Sequence, residues 1–227
     1  MAYHKDITTC GGSIMDSPSI AIIGRPQDTG NYEKALRHIG ISPLTTLDPE
    51  QCSECRGLLL PGGGDITPAF FGQQNHGSRQ IDTELDILQL QGLDLFIRWR
   101  RPVLGICKGM QIINVHFGGS ICQHIKNAAN HQWNGKDQHH YVYHIGCSRT
   151  DFFYQLYGSS AFVNSAHHQA VDKMGRNLLP ICQASDGTLE ALVHASLPVL
   201  AVQWHPERLF GQGGMELLSY FSELCSS

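Results

Sequence analysis

The clearest structural pattern in the chain is the segment Pro102-Val103-Leu104-Gly105-Ile106-Cys107-Lys108-Gly109. Its apolar run, 103–106, has the length and composition of a strand that is buried on both faces. Residues 109–117 then follow at helical spacing and end at Gly118-Gly119, where a helix can stop. A buried strand that turns directly into a helix is typical of a parallel sheet covered by helices.

The rest of the chain repeats this alternation of short apolar runs and longer amphipathic stretches. Asn31 is the predicted cap of the first helix. No segment resembles a linker, so we predict a single α/β domain over residues 1–227, with 1–18 as an irregular N-terminal segment. The pattern predicts further strands at 19–24, 41–44, 57–60, 141–145, 189–193 and 199–203, and helices at 32–39, 82–98 and 214–224.

The composition argues against polyanionic partners. Charged residues make up 16% of the 227 residues and the formal net charge is -4, so no basic surface is expected for nucleic acid or anionic lipid. No apolar run reaches the roughly 20 residues of a membrane span, and residues 1–19 lack the apolar core of a signal peptide. We therefore expect a cytoplasmic protein in which most of the eight cysteines are buried thiols.

Residues 105–109 have the form G-x-C-x-G, which is typical of a nucleophile elbow. In this device a strained turn between strand and helix lifts the nucleophile out of the sheet, and the flanking glycines remove side chains that would clash. A thiol at the start of a helix also meets the positive end of the helix dipole, which favours the thiolate. Among the eight cysteines only Cys107 has this context, so Cys107 is the predicted nucleophile.

Two further segments supply the groups that a cysteine nucleophile needs. In Gln203-Trp204-His205-Pro206-Glu207 a predicted strand ends at a histidine, and a carboxylate follows two residues later. We predict that His205 is the base and that Glu207 orients its ring. Oxyanion donors are predicted to be the backbone N–H of Lys108 and those of the glycine loop, at Gly63 and Gly64.

Four sequence blocks, in order, resemble the class I glutamine amidotransferase-like superfamily, and in particular its γ-glutamyl-γ-aminobutyrate hydrolase family. The blocks are 60–68 (LPGGGDITP), 102–111 (PVLGICKGMQ), 163–171 (VNSAHHQAV) and 202–207 (VQWHPE). The resemblance extends over residues 19–224. It implies a flavodoxin-like three-layer α/β/α sandwich with a mostly parallel central sheet.

The resemblance also implies a chemistry. A Cys-His-Glu triad would cleave a γ-glutamyl amide bond of a small-molecule substrate through a glutamyl thioester, without a cofactor. The triad falls on Cys107, His205 and Glu207. The implied substrate contacts fall on Gln111, His167, His168 and Gln169. Residues 186–191 (DGTLEA) resemble the family's D-G-x-x-E-A segment, which we interpret as structural support.

Two other functions are alternatives. The chain could be the glutaminase component of an amidotransferase that supplies ammonia to a synthetase partner. It could also be a binding protein that has kept the fold and lost catalysis, although all three triad positions are filled. The sequence does not choose among γ-glutamyl substrates, and it leaves a homodimer open.

A metal site is the third alternative, suggested by 13 histidines. Cys52 and Cys55 form a lone CxxC pair without a second pair, which is weak evidence for zinc. The histidines in the segment 124–144 lack regular ligand spacing, and we interpret this segment as a loop and strand near the pocket. We therefore predict no bound metal. These histidines are His124, His131, His139, His140 and His144.

Overall fold

The structure is a computed structural model that describes residues 19–146, 148, 150–210 and 213–226. Its strands are β1 (Ser19–Ile23), β2 (Ser42–Thr46), β3 (Gly57–Leu60), β4 (Val103–Ile106), β5 (Ser120–Cys122), β6 (Gln138–His144), β7 (Ser160–Ser165), β8 (Ala170–Lys173), β9 (Leu178–Ala184), β10 (Leu189–His194) and β11 (Val199–Val202). Its α-helices are α1 (Gly30–His38), α2 (Thr83–Arg98), α3 (Lys108–His116), α4 (Phe152–Tyr157) and α5 (Met215–Ser226).

The central sheet of the described residues has nine strands in the order β2-β1-β3-β4-β11-β10-β9-β6-β7. The half from β2 to β11 is parallel, and β10, β9, β6 and β7 extend it as antiparallel strands. Strands β5 and β8 form a separate antiparallel pair. The parallel half brings the carboxyl ends of β3, β4 and β11 to one edge, where the sites of such sheets lie.

Helices cover both faces of the parallel half. Successive side chains of a strand point to opposite faces, so Ile20 and Ile22 join one hydrophobic cluster while Ala21 and Ile23 join the other. The first cluster receives α1 and α5, and the second receives α2 and α3. The predicted flavodoxin-like three-layer sandwich is therefore confirmed.

Two local predictions differ from the structure. The first helix begins at Gly30 after Thr29, without a side-chain cap bond, so Asn31 lies inside the helix and is not its cap. The antiparallel half contains β7, β9 and α4, which the pattern of apolar residues did not predict. The predicted N-terminal segment 1–18 lies outside the described residues.

The cysteines that the structure describes are free, and all but Cys122 are buried. Cys52 and Cys55 lie in the second hydrophobic cluster. Burial raises the pKa of the Cys52 thiol to about 12, as expected for a packing residue that is not reactive. Cys10 and Cys147 lie outside the described residues.

No helix among the described residues is long and apolar enough to cross a membrane.

Candidate active site

Cys107 lies at the turn between β4 and α3, with φ 51° and ψ -105°. A positive φ is strained for a side chain that is not glycine, and such strain is concentrated at functional sites. The two flanking glycines explain how the turn fits. A Cβ on Gly105 would lie 2.6 Å from Ile113 Cδ1 and 2.7 Å from the carbonyl carbon of Gly109, so a side chain there would collide with α3. The predicted elbow is therefore present at Cys107.

His205 and Glu207 follow β11, the strand that pairs with β4 in parallel. His205 Nδ1 donates a hydrogen bond to Glu207 Oε1 at 2.8 Å. Both side chains are buried, and Glu207 is only 1% exposed. The carboxylate therefore fixes the ring so that the other nitrogen, Nε2, is free for the thiol.

The electrostatics favour a charged imidazole. Burial lowers the pKa of His205, but the Glu207 carboxylate and the neighbouring Cys107, through its charge and a hydrogen bond, raise it to about 10. His205 therefore stays protonated at neutral pH, and its imidazolium lies beside the sulfur of Cys107.

The glycine loop packs directly against this pair. A Cβ on Gly62 would lie 3.0 Å from His205 Cε1 and 3.3 Å from Cys107 Cβ. The N–H of Gly62 donates to Tyr32 Oη at 2.9 Å, which fixes the loop against α1. Gly63 and Gly64 follow and line the same cavity as Cys107.

Lys108 is the first residue of α3, so its backbone N–H has no acceptor inside the helix. Its side chain is buried, and Nζ lies 2.6 Å from Asp86 Oδ1 on α2. The side chain of Thr67 donates to Asp86 Oδ2 at 2.6 Å. Lys108 therefore has a structural role through its side chain, while its N–H has no acceptor within the helix.

Two cavities meet at Cys107. The larger has a volume of about 540 Å³, and its lining includes Arg25, Asp28, Asp82 and Arg208. The smaller has a volume of about 290 Å³ and is lined by Gln111, Asp65, Arg79, Trp133 and the segment 166–169. A substrate whose scissile bond lay at the sulfur would place one of its two parts in each cavity.

The four residues predicted to contact the substrate line the smaller cavity. Several of their side chains already form contacts within the protein. Gln111 Nε2 donates to Gln203 Oε1 at 3.5 Å. Gln169 is buried and donates to Ser78 Oγ at 2.8 Å. His168 Nε2 lies 2.9 Å from Asp65 Oδ2.

Asn164 is a site residue that the sequence reasoning did not assign. Its Oδ1 accepts from the backbone N–H of His205 at 2.9 Å, and its Nδ2 donates to the carbonyl of His205 at 3.0 Å. Its position in the block 163–171 was a signal, since this block is predicted to lie at the pocket.

The histidines of the segment 124–144 do not act as one group. His144 lies 2.6 Å from Asp151, and His139 is exposed. His131 and His140 converge on the buried carboxylate of Glu190. Glu190 belongs to the segment that we interpreted as structural support.

Comparisons with known proteins identify the family of this chain. The model of the Peptidase C26 family matches residues 42–207. A glutamine amidotransferase-like protein, YvdE, from Lactococcus lactis is 32% identical over 66% of this chain, and the chain spans 65% of that protein, just under two thirds. The γ-glutamyl-CDP-amidate hydrolase of Campylobacter jejuni is 26% identical over 74% of this chain and 70% of its own length.

Among solved structures, a protein from Thermoplasma acidophilum, described as a candidate GMP synthase component, has a TM-score of 0.70 at 22% identity. The alignment covers 92% of this chain and 94% of that one, and at this identity it supports the fold alone. The family match covers most of the chain and includes Cys107, His205 and Glu207. The chain therefore belongs to the Peptidase C26 family.

Proposed function

We propose that this protein hydrolyses the γ-glutamyl amide bond of γ-glutamyl-γ-aminobutyrate or a related γ-glutamyl compound. The observation that carries this proposal is the junction of Cys107, the His205–Glu207 pair and the glycine loop, between two cavities. Each group that acyl transfer needs is present there: a nucleophile, an oriented base and free N–H donors.

In the first half of the reaction, the Cys107 thiolate attacks the γ-carbonyl carbon of the substrate. The oxygen becomes an oxyanion, which the N–H groups of Lys108 and of the loop at Gly63 and Gly64 stabilise. The imidazolium of His205 gives its proton to the leaving nitrogen, the C–N bond breaks, and the amine departs. The glutamyl group remains on sulfur as a thioester.

In the second half, water replaces the amine. His205, now neutral, accepts a proton from this water, whose oxygen attacks the thioester carbon. The C–S bond breaks, glutamate leaves, and the thiolate and imidazolium are restored. The sum is one amide and one water converted into a carboxylic acid and an amine.

The smaller cavity suits the glutamyl part of the substrate. Asp65 and Arg79 line it, and together they offer one negative and one positive charge to the α-amino and α-carboxylate groups of a glutamyl unit. Arg79 is exposed and forms no ion pair with another described residue. Gln111 lies one helical turn beyond Cys107 and can contact the glutamyl chain.

The larger cavity suits a leaving amine of substantial size. Its volume of about 540 Å³ far exceeds what ammonia needs, which favours a γ-glutamyl compound over glutamine. The similarity to a γ-glutamyl-CDP-amidate hydrolase supports the same class of reaction.

A panel of γ-glutamyl substrates tests the proposal. Glutamate release is measured for glutamine, γ-glutamyl-γ-aminobutyrate, a γ-glutamyl dipeptide and a poly-γ-glutamate, with the wild type, Cys107→Ala and Cys122→Ala. Cys122 is a free, half-buried thiol outside both cavities, so its variant controls for the loss of a cysteine. We expect Cys107→Ala to lose at least about 10⁴-fold in kcat while remaining folded.

The same panel separates the hydrolase from the glutaminase alternative. A hydrolase releases glutamate from a substituted γ-glutamyl amide without a partner. Release from glutamine alone, and only after a synthetase is added, would favour the amidotransferase component. Turnover by Cys107→Ala at the wild-type rate would reject the mechanism.

A further inference from the structure

A carboxylate is buried beside three histidines behind the smaller cavity. Glu190, on β10, is fully buried. Its Oε1 lies 3.3 Å from His140 Nε2, 3.5 Å from His167 Nε2 and 3.6 Å from His131 Nδ1. The three rings come from β6, from the segment before it and from the loop between β7 and β8, so four parts of the chain meet at one oxygen.

These atoms lie at ion-pair distances, but their geometry does not meet that of hydrogen bonds. Neither carboxylate oxygen of Glu190 has a hydrogen-bond partner among the described residues, and the same holds for both ring nitrogens of His140 and for His167 Nε2. A buried carboxylate without such partners is costly. Glu190 and the nitrogens of His140 and His167 that face it therefore lack well-aligned partners, whereas His131 Nδ1 has Ser165 Oγ at 3.3 Å.

The distances fit a metal ion in that place. Atoms that bind tetrahedral zinc at about 2.0–2.2 Å lie roughly 3.3–3.6 Å from one another. The three distances to Glu190 Oε1 fall in this range. The ligand atoms of His131, His140 and Glu190 all lie within 4.8 Å of one another.

The outer contacts also match a metal site. A histidine that binds a metal commonly donates its other ring N–H to a carboxylate or a backbone carbonyl. His131 Nε2 lies 2.9 Å from Asp186 Oδ2, and His167 Nδ1 lies 2.9 Å from the carbonyl of Gln169. These contacts leave two nitrogens, His131 Nδ1 and His167 Nε2, directed at the Glu190 carboxylate. His131 Nδ1 also lies 3.3 Å from Ser165 Oγ.

We propose that His131, His140 and Glu190 bind a divalent transition-metal ion, with zinc as the best match, and that His167 completes the site. Three imidazoles and one carboxylate suit zinc, whereas magnesium and calcium prefer oxygen ligands. Because the site is largely buried and has four protein ligands, its role is structural: it ties β6, β10 and the β7–β8 loop together next to the smaller cavity.

Metal binding is tested on the untagged protein, so that no polyhistidine tag contributes ligands. The wild type is stripped with a chelator, dialysed against metal-free buffer and titrated with Co²⁺, whose visible absorption reports coordination geometry. We expect stoichiometric binding with the strong absorption of a tetrahedral site and without a thiolate charge-transfer band. Zn²⁺ should then displace Co²⁺ and raise the Tm.

Matched variants locate the metal. His140→Ala and Glu190→Gln should each weaken Co²⁺ binding at least about 100-fold. His139→Ala, an exposed neighbour on the same strand, should bind like the wild type, and so should Cys107→Ala, which removes the reactive thiol.

Three results would overturn the metal site. They are a wild type that gives no tetrahedral Co²⁺ spectrum, a spectrum that carries a thiolate band, and a spectrum that His140→Ala leaves unchanged. The first is obtained on the wild type, so it stands even if a variant does not fold. None depends on turnover, so a failed metal site and a failed hydrolase assay are distinct results.

Discussion

Asn164 holds the backbone of His205 with two hydrogen bonds, of 2.9 and 3.0 Å, across 41 residues of sequence. Asn164 lies on β7, an edge strand, whereas His205 follows β11, in the middle of the sheet. The antiparallel half of the sheet must therefore curve so that its edge strand, β7, lies near the candidate active site. Asn164 is thus a positioning residue for the candidate base.

We predict that Asn164→Ala lowers kcat by about 10- to 100-fold with a smaller effect on KM, because it frees the backbone of His205 but removes no proposed substrate contact. The buried N–H and carbonyl of His205 lose their partners, so the free energy of unfolding should also fall by about 1–3 kcal/mol. Steady-state kinetics and denaturant unfolding measure the two effects. A change in KM alone would assign Asn164 to substrate binding.

Glu207→Gln should change the pH dependence of the enzyme. The Glu207 carboxylate helps to raise the pKa of His205 to about 10, so the imidazolium persists from neutral pH up to that range and is lost above it. Without the carboxylate this pKa falls, and the alkaline limit of kcat/KM should move to lower pH by roughly one unit or more.

The rate of Cys107 alkylation by iodoacetamide, measured against pH with and without the substitution, provides a second readout. An unchanged alkaline limit in Glu207→Gln would contradict the role of Glu207 as the partner of His205.

Gly62→Ala and Gly63→Ala form a matched pair in the glycine loop. A Cβ at Gly62 would lie 2.8 Å from Tyr32 Oη and 3.0 Å from His205 Cε1, whereas a Cβ at Gly63 would meet only Lys108 Cδ, at 3.7 Å. We expect the first substitution to reduce kcat/KM at least about tenfold more than the second, because it displaces the loop or the base. Equal losses of kcat/KM in the two variants would show that the close packing at Gly62 is not required for activity.

Asp86→Ala should be strongly destabilising. It leaves the buried ammonium of Lys108 without its partner, which typically costs about 3–5 kcal/mol. Asp94→Ala, on the same helix, breaks an exposed ion pair with Arg98 and should cost at most about 1 kcal/mol. Urea unfolding of both variants gives the comparison, and similar losses would contradict the structural role of the buried pair.

The parallel half of the fold could be predicted because its strands are buried on both faces. Strands such as Val103–Ile106 and Gly57–Leu60 are continuous apolar runs, which stand out in a sequence. The elbow at Cys107 could be predicted for a related reason, since close packing requires glycine at both flanking positions: Gly105 packs against α3, and Gly109 packs against Leu60 of β3.

The antiparallel half could not be predicted in the same way. β9 contains Pro180, which normally argues against a strand interior. The structure accommodates it beside a shift in register against β10, between the pairs Ala191–Cys182 and Leu192–Pro180. Such a bulge depends on the neighbouring strand, so the local sequence does not reveal it.

The proximity of His131 and His140 to Glu190 could not be predicted from the sequence either. Regular ligand spacing arises when ligands lie on one helix or hairpin. His131, His140 and Glu190 instead come from separate segments that only the curled sheet brings together. The irregular spacing therefore led to a prediction of no metal, and the folded arrangement is the basis for proposing one.

In the proposed mechanism Cys107 carries the glutamyl group during turnover. The most direct measurement is mass spectrometry of protein quenched with acid during turnover of a γ-glutamyl substrate, or after reaction with an electrophilic glutamine analogue. We predict an added glutamyl group, or the analogue, on the peptide that contains Cys107, and none in Cys107→Ala. An adduct on another residue, or turnover without any adduct in either experiment, would contradict the role of Cys107 as the nucleophile.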